Sequence, residues 1–215
     1  MEPGLVRLSI INNCMARHIG PKNKLARKIG EDLGLKSNAV KVAKRVAVRP
    51  GQHGHKGHRK LSDYGIQLKE KQKVKYIYGV LEKQLHKLYE KASKESVATG
   101  GALLSLLERR LDNTIYRAGW APTRAAARQM VNHGHVEVNG KKLSIASYKV
   151  KVNDVLLLKS SATSIPVVAE LLSAGTAASW IERKGPSAKV SRLPERKDVT
   201  EVIDEQMVVE FYSRV

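Results

Sequence analysis

Residues 107–142 read Leu107-Glu-Arg-Arg-Leu-Asp-Asn-Thr-Ile-Tyr-Arg-Ala-Gly-Trp-Ala-Pro-Thr-Arg-Ala-Ala-Ala-Arg-Gln-Met-Val-Asn-His-Gly-His-Val-Glu-Val-Asn-Gly-Lys-Lys142, and a Val- and Leu-rich run follows to residue 158. Gly119 and Pro122 interrupt a first helix. Thr123 suits the N-cap of a second, running to about His133, because its hydroxyl can accept a hydrogen bond from a free backbone N–H. Gly134 can close that helix in the left-handed conformation. Val136 and Val138 alternate as in a strand, Asn139-Gly140 is a strong two-residue hairpin signal, and Lys141 to Leu143 returns. The stretch is therefore expected to be a compact unit of two helices followed by a hairpin.

On the second helix, Arg124 and Arg128 lie four apart and share a face, while Ala125, Ala126 and Met130 can pack inward or permit close approach. Two guanidiniums at that spacing can grip successive phosphates. They sit near a helix N-terminus, whose free N–H groups favour anions, and Lys141 and Lys142 add cations from the hairpin. The bland alternative for one arginine pair is a solvated helix face.

Upstream, apolar residues recur at helical spacing in three runs. Ser62 is a good N-cap before Asp63, and the first run passes through Ile66, Leu68 and Val74 to Tyr78 before Gly79 breaks it. Leu81, Leu85, Leu88, Tyr89 and Ala92 form the second, with Lys83, Lys87 and Lys91 on another face. Leu103, Leu104, Leu106, Leu107, Leu111 and Ile115 form the third. These stripes read as core. Further upstream, Met15 to about Lys60 is rich in Lys, Arg, Gly and His with few large apolar residues. Such an arm buries little surface to offset the entropy of ordering and is expected to order on a partner. Its Arg49-Pro-Gly-Gln-His-Gly-His-Lys-Gly-His-Arg-Lys60 segment combines turn residues with cations; the alternative is a basic linker.

Downstream, Pro166 opens a short helix to residue 174, and Trp180 to Val190 and Met207 to Tyr212 read as short extended pieces.

The charge supports this ordering of roles. The 215 residues carry 39 Lys plus Arg against 20 Asp plus Glu, net +19, which points to a polyanionic partner. Residues 15–92 hold 20 basic and 6 acidic side chains, net +14, whereas residues 193–215 hold 3 and 6, net −3. The acidic tail is expected to pack on basic protein rather than on phosphate. Cysteine occurs once, at Cys14, which excludes an intramolecular disulfide framework and a multi-cysteine zinc site and fits a reducing compartment. No apolar run is long enough to span a bilayer, and residues 5–11 lack the features of a secretory signal. Aromatic residues make up only 5%, which argues against recognition built mainly on base stacking.

The 107–158 unit resembles the small helix-helix-hairpin RNA-binding domain of several RNA-handling proteins, and the surrounding chain resembles the family of bacterial small-subunit ribosomal protein four. The resemblance covers about 200 residues and rests on motifs in order along the chain. They include Met15-Ala-Arg-His-Ile-Gly-Pro-Lys22, Pro50-Gly-Gln-His-Gly54, Leu61-Ser-Asp-Tyr-Gly65, Glu70-Lys-Gln-Lys73, Tyr78-Gly-Val-Leu-Glu82, Arg110-Leu-Asp-Asn113, Asn132-His-Gly-His135, Ala146-Ser-Tyr148 and Val209-Glu-Phe-Tyr-Ser-Arg214. It implies a cytoplasmic protein of the small ribosomal subunit, without cofactor, that binds small-subunit rRNA early in assembly at a multi-helix junction of the 5′ domain. It further implies contact with ribosomal protein five at an interface linked to decoding accuracy. With proteins three and five, such a protein lines the mRNA entry path, through residues corresponding to Lys56, Arg59 and Lys60. Some members also repress translation of their own operon.

The candidate RNA contacts are Arg17, Lys22, Lys24, Arg49, His53, Lys56, Arg59, Lys60, Lys71, Lys73, Arg110, Asn113, Arg117, Thr123, Arg124, Arg128, Gln129, His133, Lys141 and Lys142. The expected architecture is α+β and mainly helical. An extension, 1–14, precedes a basic arm and helical lobe, 15–106; an inserted αL-type RNA-binding module of two helices plus a small β-sheet, 107–172, follows. A C-terminal segment, 173–215, returns to the helical lobe.

Two departures and one decoy qualify the resemblance. Many members hold zinc on four N-terminal cysteines, and none stands here after Met15; His53, His55 and His58 lack a nearby thiolate or carboxylate, so no metal is expected. Residues 1–14 precede the family's usual starting motif at Met15. Arg110-Leu-Asp112 superficially matches the catalytic tripeptide of pseudouridine synthases, but here it leads into a helix of the binding module, so Asp112 more plausibly orients an arginine. An RNA-modifying or tRNA-charging enzyme and a free-standing RNA chaperone are the competing classes.

Overall fold

The computed structural model describes residue 18 and residues 20–56, 60–95 and 98–214; Arg17, Arg59, His58 and the 1–14 extension lie outside them. The chain is α+β and mainly helical, with two separate cores.

The first core gathers α1 (Lys22–Ile29), α2 (Ala39–Val46), α3 (Asp63–Ile77), α4 (Glu82–Ala92) and α5 (Thr99–Glu108). Ser62 caps α3 as expected, its hydroxyl accepting from the Gly65 N–H at 3.3 Å. The arm corrects one expectation, because part of it folds on the protein itself. Ala26 and Ile29 on α1, Leu33 in the following turn and Val42 on α2 are buried in this core, and Leu25 of α1 is buried as well. Few apolar residues suffice when their spacing puts nearly all of them on one face.

The third apolar stripe is not one helix. It breaks at Arg109-Arg110, where Arg110 is extended, and α6 (Leu111–Arg117) begins a new direction. Leu103, Leu104, Leu106 and Leu107 fill the first core, whereas Leu111 and Ile115 enter the second.

The second core lies between α6, α7 (Arg124–Asn132) and an antiparallel sheet. Among the described residues that sheet has five strands in the order β2-β1-β3-β5-β4, where β1 is Val136–Val138, β2 Lys141–Lys142, β3 Val155–Leu158, β4 Ile181–Lys184 and β5 Ser187–Val190. Val136, Val138, Leu156, Leu158, Ala188 and Val190 point into the core with Trp120 and Trp180, while Glu137, Val155 and Leu157 alternate outward. Asn139 and Gly140, at φ 50° and 75°, make the tight hairpin turn between Val138 and its partner Lys141. Two short helices, α8 (Ser160–Thr163) and α9 (Pro166–Ala174), cross from β3 to β4. Arg183 of β4 donates to the carbonyls of Leu171 and Leu172 at the end of α9, and of Ala118 and Gly119 after α6. The hairpin at 181–190 thus joins the sheet of the inserted unit, beyond the boundary expected at residue 172.

From Val199 the chain rejoins the first core. Residues 207–212 are helical rather than extended, as part of α10 (Glu205–Ser213). The Asp204 carboxylate accepts from the Gln206 and Met207 N–H groups, and Val208, Phe211 and Tyr212 bury the face packed on α3 and α5. That three-and-four spacing outweighs the β-propensity of the valines and aromatics.

Candidate RNA interface

The residues proposed from sequence fall into two groups, divided by which way they face. Arg110, Asn113, Arg117, Arg124 and Arg128 are buried, in a polar network between the two cores. Its hub is Glu108 at the end of α5, fully buried. Glu108 accepts from Arg117 Nε and Nη2, both at 2.8 Å, from Asn113 Nδ2 at 2.6 Å and from the Tyr78 hydroxyl at 2.7 Å. Glu201, from the acidic tail, takes Arg124 Nη2 at 2.6 Å and Arg117 Nη2 at 2.5 Å. Arg124 Nε donates to Asn113 Oδ1 at 2.6 Å, and its guanidinium lies over the rings of Tyr116 and Tyr78, 4.5 and 5.0 Å from their centroids. Asp112 receives Arg110 through two bonds of 3.1 and 2.8 Å, the orienting role expected for it, and lies 3.8 Å from Arg128 Nη1. Arg128 also donates to the Gly79 carbonyl at 3.3 Å.

The electrostatics follow from burial. Desolvation alone would raise the Glu201 carboxyl, but Arg124 and Arg117 overcome it and hold the group at about 2. Desolvation works against the charge on Arg117, yet the bonds to Glu108 and the Glu201 charge more than offset it and raise its pKa. Burial, and then the Glu108 charge, push the Tyr78 hydroxyl well up, keeping it a donor. Removing one partner from such a network leaves a buried charge uncompensated, at a cost of about 3–5 kcal/mol.

The reading of Arg124 and Arg128 as an outward pair is therefore corrected. They do share a face, but it is turned toward the first lobe, with 8% and 6% of each residue exposed. Thr123 is occupied in capping, accepting from the Ala126 N–H at 3.2 Å. Lys71 and Lys73 are likewise buried, paired with Glu82 at 2.9 Å and Glu31 at 2.5 Å. Sequence reasoning missed Glu108 and Glu201, the acids that turn Arg117 and Arg124 inward. The available signal was a lone Glu inside the apolar stripe of α5, a residue type rarely buried without a partner.

The second group faces solvent. Gln129 lies on the outer face of α7 and His133, exposed, caps its C-terminal end, while Lys141 and Lys142 stand on the edge strand β2. Gly134, at φ 71°, lets the Lys142 side chain cross close above the helix end, since a Cβ there would stand 2.2 Å from Lys142 Cε. In the first lobe Lys24, His53, Lys56 and Lys60 are exposed, and Lys22 and Arg49 are half-buried. Arg27 shapes that segment by donating to the carbonyls of Val48 and Arg49 at 2.6 and 2.8 Å. Lys41, Lys44 and Arg45 form a further exposed cationic face, on α2. Their three-and-four spacing could have revealed it. The acidic tail meets the chain's own cations, Glu201 as above and Asp198 with Arg192 at 2.7 Å. Among the described residues no group of three or more His, Cys, Asp or Glu side chains is arranged to hold a metal ion, and no helix is long and apolar enough to cross a membrane.

A fold with a basic helical lobe and a helix-helix-hairpin unit, each presenting cations to solvent, defines a protein of the RNA-binding class. Comparison with known families narrows it. Residues 17–108 match the ribosomal protein S4/S9 N-terminal domain and residues 109–156 the S4 domain. Small ribosomal subunit protein uS4 of Parabacteroides distasonis is 50% identical over 204 residues, covering 93% of this chain and 100% of that protein. The uS4 proteins of Chloroflexus aurantiacus and Porphyromonas gingivalis are 47% and 44% identical, again across 93% of this chain and 100% of theirs. The chain belongs to the uS4 family of small ribosomal subunit proteins, and is a structural ribosomal protein rather than an enzyme.

Proposed function

We propose that this protein binds small-subunit rRNA as a primary assembly protein, recognising a folded multi-helix junction of the 5′ domain and nucleating its folding. The observation that carries the reading is the outward set of cations on both lobes, Lys24, Lys41, Arg45, Lys56 and Lys60 on one and Lys141 and Lys142 on the other. A folded RNA is recognised mainly through its shape, phosphates and 2′-hydroxyls, and cations fixed on two rigid bodies can span such a target. The buried network supports this by holding the lobes in one relation, so that binding need not order them. Lys56 and Lys60, beside the Pro50-Gly-Gln-His-Gly54 turn, are the residues proposed to touch mRNA on its entry path, with Arg59. Ribosomal protein five is the proposed protein neighbour, with protein three near the same path, and the decoding effect acts through that contact. Repression of the protein's own messenger would use the same RNA-binding surface.

Titration of the purified chain with the 5′ domain of small-subunit rRNA and with a scrambled RNA of equal length, across salt concentrations, tests the reading. Tight, domain-selective binding that survives salt is the expected outcome. Equal binding to both RNAs, falling together on one steep salt slope, would reduce the protein to a nonspecific polycation.

A further inference from the structure

Residues 146–150, between β2 and β3, are laced by their backbone to the junction of α5 and α6. The Leu111 and Asp112 N–H groups donate to the carbonyls of Tyr148 and Ala146 at 2.8 and 3.2 Å, and the Val150 N–H donates to the Arg109 carbonyl at 2.9 Å. Lys149 pairs with Arg110 across an isolated bridge. Its half-buried side chain is thereby held at the seam of the two lobes, within electrostatic reach of two further cations, Arg109 at the C-cap of α5 and Lys91 in the last turn of α4. Burial, and then repulsion from Lys91 and Arg109, push the Lys149 ammonium below the usual lysine value; Glu95 pulls the other way without restoring it. Among the described residues none of these three cations makes an ion pair, and Arg109 uses only its Nε, donating to the Val150 carbonyl at 3.3 Å. Placement at a helix C-terminus accounts for Lys91 and Arg109, since that end favours a cation. It does not account for Lys149, which stands on neither helix. Like charges gathered without an acid are unfavourable in the free protein and become favourable once an anion comes between them.

We propose that Lys149, Arg109 and Lys91 form a contact for the phosphate backbone of the bound RNA, laid across the seam between the lobes. The proposal rests on the RNA-binding reading above and adds to it a surface that neither lobe carries alone. The arrangement is a row, and it continues. Lys87 and Lys83, both exposed, extend it from Lys91 back along α4 at steps of four residues, about 6 Å each. A row of cations at regular steps matches a strand whose charges repeat along its backbone, whereas an acidic protein segment offers carboxylates at no fixed step. The Arg109 Nη groups, which make no hydrogen bond among the described residues, suit a phosphate, whose oxygens can accept two parallel bonds from one guanidinium. Because the 146–150 segment is fixed by backbone bonds rather than by side chains, Lys149 is held in place before the RNA arrives, so little ordering is left to the binding step.

The test is a backbone footprint of the 5′ domain of small-subunit rRNA bound to the full chain, by hydroxyl-radical cleavage, together with the salt dependence of binding. Arg109→Gln with Lys149→Gln should expose one contiguous stretch of RNA backbone that the wild type protects, leave the remaining protections in place, and reduce the slope of log K against log salt by about 1.5, the scale of two lost phosphate contacts. The urea midpoint of the free double variant should not fall, because the change relieves repulsion; a structural role for the cations would lower it. Lys184→Gln with Lys189→Gln, an equal loss of charge at exposed positions of β4 and β5, should leave that stretch protected. Should the double variant unfold by circular dichroism, Lys91→Gln, on the exposed face of α4, is read in the same way with about half the change in slope. An unchanged footprint and slope, or loss of the same stretch in the control, overturns the seam contact and leaves the RNA reading standing. Loss of domain-selective binding in the wild type overturns both.

Discussion

Helices α2 and α7 each carry two cations four residues apart, and they use them in opposite ways. Lys41 and Arg45 on α2 are exposed, while Arg124 and Arg128 on α7 are buried. The spacing is identical, so spacing alone settles only that two side chains share a face. What differs is the surface opposite. Glu108, Asp112 and Glu201 stand against α7, whereas Lys41 and Arg45 have no acidic partner among the described residues. A cation facing a buried carboxylate becomes part of the protein's interior wiring, and one facing water stays available to a polyanion.

The contrast can be broken most forcefully at its hub. Glu108→Ala removes the acceptor for Arg117, Asn113 and Tyr78 together, and should lower unfolding free energy by about 3–5 kcal/mol, measured as the shift of the urea midpoint. A loss under about 1 kcal/mol would mean the network contributes little to holding the lobes.

Titration gives a second, somewhat smaller effect. The Glu201 carboxyl lies at about 2 in the folded protein against an ordinary value of 4.5. Its folded value is the lower one, so its stabilisation is complete above about pH 4.5 and fades as pH falls toward about 2. The full contribution is on the order of 3 kcal/mol. Glu201→Gln should remove that contribution at neutral pH and flatten this part of the acid dependence. Parallel acid unfolding curves for the two proteins would show that the pairs to Arg124 and Arg117 do not couple to folding.

The smallest effect on stability belongs to the outward pair. Lys41→Gln with Arg45→Gln should change stability by less than about 0.5 kcal/mol, while reducing the dependence of log K on log salt by about 2 if both touch phosphate. An unchanged salt slope would remove α2 from the RNA surface and sharpen attention on the exposed residues of the inserted unit.

Local signals in the sequence carried much of the fold. Ser62 and Thr123 as caps, Asn139-Gly140 as the hairpin turn and the stripe from Leu81 to Ala92 are all readable within a few residues, because caps, turns and amphipathic helices are set by neighbours in the chain. The stretch from Met207 to Tyr212 misled, since valines and aromatics favour strands until Asp204 supplies a helix start and a core receives one face. The stripe from Leu103 to Ile115 misled differently. Its spacing is helical on both sides of Arg109-Arg110, and only the presence of two cores shows that it serves both.

By itself, then, the sequence determined the class of partner, through net +19 with the excess concentrated before residue 93, and the helix-helix-hairpin unit, through caps and turn. Only the tertiary structure decided which cations reach that partner. Glu201 lies 77 residues from Arg124 along the chain and 2.6 Å from it in space. Whether a guanidinium is solvated or neutralised depends on acids brought to it by folding, and no periodicity in the sequence encodes that meeting.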